Sequence, residues 1–157
     1  MIVVSNTSPI NYLILIDHIN FLSKLFQQII IPQAVYSELT DASAPAPVTT
    51  WIAASPDWLR IQVVNQPPDA IVDLLDPGER EAILLAQELN ASLLLLDDMK
   101  ARRAAIKKEL IITGILGILD QAATMKLINL PFAIQNLQNT SFWASDSLLQ
   151  KLLDKHI

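Results

Sequence analysis

The chain contains no cysteine, only three glycines and only two histidines in 157 residues. Without thiols there are no disulfides, no thiolate metal sites and no cysteine nucleophile; the thiol-free inventory fits a reducing, cytoplasmic setting. Gly78, Gly114 and Gly117 are too few and too far apart for a Walker or a Rossmann phosphate-binding loop. His18 sits at a helix junction and His156 is next to last, neither beside a Ser–Asp pair, so acyl transfer ranks low. Positive charge is scarce as well: 11 Lys and Arg face 16 Asp and Glu, for a net charge of -5. A nucleic-acid partner therefore needs a local basic patch or a bound cation. Long apolar runs are also missing. Mean hydropathy is +0.37, yet Tyr12–Ile16 and Leu93–Leu96 end in charge well short of the ~20 residues a membrane span requires. The N-terminus carries no cationic region ahead of its apolar residues. The expectation is a soluble protein with no membrane partner.

What is present is core. A composition of 52% hydrophobic and 17% charged residues at this length describes one folding unit, 1–157. Met1–Val4, Ile29–Ile31, Leu59–Val64, Ser92–Leu96 and Ile111–Ile112 read as short strands. Between them lie helical segments. One runs from a Ser8–Pro9 start to about Ile16, another over His18–Phe26, another over Gln33–Leu39 and a short one over Val48–Ala54. Further helices are expected from Pro77 to Leu89 with Asn90 as the stop, over Lys100–Leu110, and from Thr113–Gly114 to about Lys126. Asp41–Pro47 reads as the one long loop, and 131–157 as a C-terminal helical extension with amphipathic segments near 131–139 and 145–155. Strands alternating with helices imply right-handed crossovers and an α/β fold with a parallel sheet.

In such folds chemistry collects at the carboxyl ends of strands. Asn6, Asp97, Asp98 and Thr113 fall there. The available donors are carboxylate and amide oxygens, which suit Mg²⁺ or Mn²⁺. Each candidate also has a plain structural role. Asn6–Thr7–Ser8 reads as a turn and cap, and one of Asp97–Asp98 as a helix cap. Glu79 and Glu81 read as first-turn carboxylates at the positive end of a helix dipole, and Glu38 as a solvated charge.

Five blocks together point further. Val4-Ser5-Asn6-Thr7-Ser8-Pro9-Ile10, Ile31-Pro32-Gln33-Ala34-Val35-Tyr36-Ser37-Glu38-Leu39, Pro77-Gly78-Glu79-Arg80-Glu81-Ala82-Ile83, Leu95-Leu96-Asp97-Asp98-Met99-Lys100-Ala101-Arg102 and Thr113-Gly114-Ile115-Leu116-Gly117 occur in this order. In content and order they resemble the PIN-domain ribonucleases, the fold of VapC-like toxins, in the branch that opens with Val-Ser-Asp-Thr-Ser-Pro. The resemblance implies a three-layer α/β/α fold around about five short parallel strands, and hydrolysis of RNA phosphodiesters dependent on Mg²⁺ or Mn²⁺. By motif it assigns Asn6, Glu81, Asp97 and Asp98 to the metal, and Glu38, Glu81 and Asp98 to catalysis. Thr7, Ser8, Lys100, Arg102 and Arg103 are the candidates for RNA contact; with Lys107 and Lys108 the last three form the only basic cluster, which reads equally as an RNA-backbone contact or as a solvated helix face. It further implies a toxin–antitoxin role with a cognate antitoxin, and a homodimer. One departure stands out: Asn6 occupies the place of the family's first Asp. The alternative is therefore a catalytically impaired PIN-fold module that binds RNA or a partner. A third reading, an unrelated phosphatase using Asp97–Asp98, predicts no preference for RNA.

Overall fold

Strands with no polar side to turn toward water must be covered on both faces. β1 (Val3–Ser5) and β2 (Ile29–Pro32) are buried at every residue. The computed structural model, which describes residues 1–157, places them in a five-stranded sheet of order β3-β2-β1-β4-β5. β3 is Leu59–Gln62, β4 Leu93–Leu95 and β5 Ile112–Thr113. Every pairing is parallel, with Val4 opposite Ile30 and Leu94, and Leu95 opposite Thr113.

Because side chains alternate across a strand, the short strands feed two cores at once. Val3, Ile29, Ile31 and Leu95 join the larger cluster, while Val4, Ile30, Leu94 and Leu96 join the smaller one behind the sheet. The larger core is closed by α1 (Thr7–Leu15), α2 (Leu22–Phe26), α3 (Gln33–Thr40), α4 (Ala46–Ala53) and α7 (Ile115–Thr124), together with α8 (Leu130–Gln138) and α9 (Asp146–Lys155). The smaller core is closed by α5 (Pro77–Glu88) and α6 (Met99–Lys107). The result is the three-layer α/β/α architecture expected from the sequence. None of its helices is long and apolar enough to cross a membrane.

Local departures have local causes. Asn6, not Ser8, precedes the first helical residue, and Ser8–Pro9 lie inside the first turn. Proline is tolerated there because first-turn N–H groups have no intrahelical partner. The segment expected as one helix over His18–Phe26 begins instead as a 3₁₀ turn, Ile19–Phe21, before α2. Asp17 at φ 59° and Gln27 at φ 64° bracket it with left-handed residues. The loop after Asp41 is shorter than expected, since α4 starts at Ala46 with proline in its first turn. Asn90, at φ 51°, ends α5 as anticipated.

Two clamps fix the periphery. The Glu88 carboxylate accepts the N–H groups of Asn65 and Gln66 at 2.8 and 2.7 Å, while Lys108 pairs with Asp69 and donates to Gln87 at 3.0 Å. On the other side, Lys155 and His156 from the end of α9 both reach Asp120 on α7, at 2.8 and 2.6 Å. The strand order also fixes where a ligand fits. From β1 the chain moves outward to β2 and β3, then returns to β4 on the opposite side of β1. The crevice of the fold thus opens beyond the carboxyl ends of β1 and β4.

Candidate active site at the carboxyl edge of the sheet

Asn6 is the first residue past β1. Its backbone N–H bonds to the Leu95 carbonyl at 2.9 Å, which extends the ladder and locks the residue to β4. Its side chain is 4% exposed, and its Oδ1 is buried without a hydrogen-bond partner. Asp97 stands two residues past β4. One of its oxygens accepts the Ile115 N–H at 2.9 Å, satisfying an orphan donor of the first turn of α7. Its other oxygen, Oδ2, is buried and unpartnered. A buried acceptor left unmade costs about 1–3 kcal/mol. These two oxygens are the buried side-chain acceptors without partners in the chain, and both sit at the switch point.

The remaining acids come from helices. Glu38 projects from α3 and accepts the Thr7 hydroxyl at 3.2 Å. Gly78 makes room for it: a Cβ there would fall 1.8 Å from the Glu38 Oε2. Glu79 and Asp98 are neighbours from different helices, α5 and α6, with Asp76 close by. Asp98 also caps α6 through the Ala101 N–H at 3.0 Å. Glu81 behaves otherwise. Its carboxylate turns to the start of α3 and accepts the Ala34 N–H at 3.1 Å.

Electrostatics record this crowding. Loss of hydration pushes the Glu79 carboxyl up to about 7, and the negative charges of Asp98 and Asp76 push the same way. Loss of hydration also raises Glu38, opposed by the Thr7 hydrogen bond and reinforced by Asp76 and Glu81. Asp97 is raised by its burial, against the Ile115 N–H and the positive charge of Arg102. Carboxyl groups gathered with too few cations resist ionising together.

The structure therefore places Asn6, Glu38, Glu81, Asp97 and Asp98 around one edge, and adds two acids that sequence reasoning passed over. Glu79, assigned to a helix dipole, faces Asp98 across the gap between α5 and α6, and Asp76 flanks both. Glu79 and Glu81, two apart on one helix, cannot face one way, but which of them meets Asp98 is set by how α5 packs and not by the local pattern. Thr7 holds Glu38, and Ser8 is half-buried in the first turn of α1. Of the basic cluster, Lys100, Arg103 and Lys107 are exposed and Arg102 is half-buried beside Asp97. Lys108 is committed to the Asp69 clamp and is only 4% exposed, so it is unavailable to a ligand.

The donor set is amide and carboxylate oxygen, which fits a hard divalent cation. No three His, Asp or Glu side chains stand together as a complete ligand set; the Asn6 amide oxygen is a further donor of the same hard type.

A family model described as a PIN domain matches residues 2–157, and the chain belongs to that family, a nuclease fold family. Among solved structures, a PilT N-terminus domain protein from the hyperthermophilic archaeon Sulfolobus solfataricus P2 shares the fold. Its TM-score is 0.55 at 17% identity, covering 92% of this chain and 100% of that one. Comparison with curated proteins gives no match.

Proposed function

We propose that this protein is a divalent-cation-dependent endoribonuclease acting as the toxin of a toxin–antitoxin pair, in the cytoplasm and as a homodimer. The observation that supports the reading best is the pair of unpartnered buried oxygens, Asn6 Oδ1 and Asp97 Oδ2, on adjacent strand ends. Asn6, Asp97 and Asp98 would hold Mg²⁺ or Mn²⁺, with Glu79 beside Asp98 in the position first given to Glu81. When bound, the cation supplies an activated water and stabilises charge on the scissile phosphate. The chain's own residues do the rest. Thr7 and Gly78 fix the Glu38 carboxylate at the mouth of the site, where it can accept a proton. Arg102 offers a cation to the phosphate and Lys100 and Arg103 extend that positive surface, while a cognate antitoxin would cover the acidic mouth.

A second reading is favoured by one specific residue. Asn6 brings no negative charge where the family resemblance places an Asp, so the fold would bind RNA or a partner without cleaving it. An assay of single-stranded RNA cleavage with Mn²⁺ or Mg²⁺ separates the two. The nuclease reading expects cleavage that chelation abolishes and that Asp98→Asn reduces about 100-fold or more. Cation-independent binding with no cleavage would establish the second reading instead.

A further inference from the structure

The loop between α8 and α9 is firmly anchored but ends in an exposed tryptophan. Phe142 packs edge-on against Tyr12 at 5.4 Å, the Tyr12 hydroxyl meets Ser141 Oγ at 2.8 Å, and the Phe142 N–H donates to Thr140 Oγ1 at 3.2 Å. The next residue, Trp143, is 82% exposed. Single exposed apolar residues are ordinary; here the position matters. Trp143 forms one wall of a cleft of about 530 Å³ whose other walls include Asp97, Arg102, Thr113, Met99 and Leu148. The cleft is thus continuous with the acidic site through Asp97. Arg102 stands at its floor, by the start of α7: a Cβ on Gly114 would meet the Arg102 Nη1 at 2.9 Å and the Asp97 Oδ1 at 2.4 Å. The ion pairs of the chain engage Lys108, Lys155 and His156, leaving Arg102 without a carboxylate partner at that distance.

An exposed aromatic side chain next to an anchored residue, sharing a cleft with a guanidinium that makes no ion pair, matches two features of a nucleotide, a flat base and a charged phosphate. A protein partner would need only the apolar part. We propose that Trp143 is the stacking platform for one unpaired base of a single-stranded RNA substrate, with Arg102 contacting the adjoining phosphate. Trp143 thereby fixes the position of the strand along the acidic site, whichever base it stacks. This rests on the reading of the protein as acting on RNA. It adds an RNA-positioning residue from the C-terminal segment, outside the acidic motif blocks.

Base–aromatic stacking contributes about 1–3 kcal/mol per base, a factor of about 5–150 in affinity. The test is binding of a fluorescein-labelled single-stranded ribo-oligonucleotide in EDTA, followed by anisotropy. It uses the native protein, Trp143→Ala, Trp143→Leu and Trp143→Phe, each checked for an unchanged thermal midpoint. The expected result is a loss of about 5- to 150-fold for Trp143→Ala and Trp143→Leu, with most affinity kept in Trp143→Phe. A series of oligonucleotides, each with one abasic position, should contain a member for which native protein and Trp143→Ala bind alike. Equal affinity of all four proteins for intact RNA overturns the inference, and so does a Trp143→Ala protein that changes only in self-association by sedimentation. If the native protein neither binds nor cuts RNA, the functional reading itself fails and takes the inference with it.

Discussion

Two sets of carboxylates in this molecule experience opposite environments. At the clamp between α7 and α9, Asp120 faces Lys155 and His156, and hydrogen bonding to Lys155 holds its carboxyl below the usual range. At the carboxyl edge of the sheet, Glu38, Glu79 and Asp97 are all pushed upward, chiefly by lost hydration and, for the two glutamates, by one another's neighbours. The chain has cations within reach of its acids where it needs anchoring. Where the strands end it gathers acids and leaves two buried oxygens unpartnered. A fold selected only for stability would not keep that edge, because each unmade acceptor and each like-charge contact costs free energy. The difference is what the proposed cation site would require of that edge: acids without ion pairs and two buried oxygens free to accept.

The contrast can be broken most severely at Gly78. Gly78→Ala places a Cβ 1.8 Å from the Glu38 carboxylate, so either that side chain or the start of α5 must move. Cleavage is expected to fall about 100-fold, as for loss of a supporting contact at a metal site, while circular dichroism stays native-like. Unchanged turnover would show that Glu38 does not need its place. Next in size, Asn6→Asp adds the charge the site lacks. Tighter Mn²⁺ binding by about tenfold is expected by calorimetry, and without the cation a lower thermal midpoint, since another buried acid joins the crowd.

A smaller effect reads the crowding itself. An acid whose folded value lies above its unfolded one holds its proton more tightly in the fold, so stability falls as pH rises between the two values. For Glu79 that window runs from its ordinary 4.5 to about 7. Cation-free protein should therefore lose stability across it, on the order of 1 kcal/mol after allowance for solvent screening. Glu79→Gln should flatten the profile, and a profile equally steep in the variant would contradict the assignment. The smallest change is expected at the clamp, where the sign reverses. The lowered Asp120 contributes stability above its ordinary 3.8 that is lost as pH falls through its folded value. Asp120→Asn should cost less than about 1 kcal/mol in urea unfolding near neutral pH, with RNA cleavage unaffected.

Much of this was legible in the sequence. The β-branched and leucine runs gave the strands because the pattern of a doubly covered sheet is simple, and their order with the helices gave the layers. Asn6, Asp97 and Asp98 were legible because they directly follow strands. The choice between Glu79 and Glu81 was not, since residues two apart on a helix diverge and the sequence does not tell which face meets α6. Lys108 counts with the basic cluster in the sequence, and its pairing was not legible because its partner, Asp69, lies in a segment without regular structure. The gap at Gly78 that admits Glu38 depends on the approach of α3 to α5, a tertiary contact that no local pattern encodes. Trp143 was visible as a residue but not as a wall of the cleft beside Asp97, for the same reason.

On the proposed reading, the sheet's carboxyl edge is kept acidic and unpaired in order to receive a divalent cation. Titration calorimetry with Mn²⁺ on the native protein, Asn6→Asp and Asp98→Asn tests it most directly. Saturable binding by the native chain, tighter binding by Asn6→Asp and loss of binding in Asp98→Asn are the expected results. Absence of binding in both the native protein and Asn6→Asp would contradict that reading.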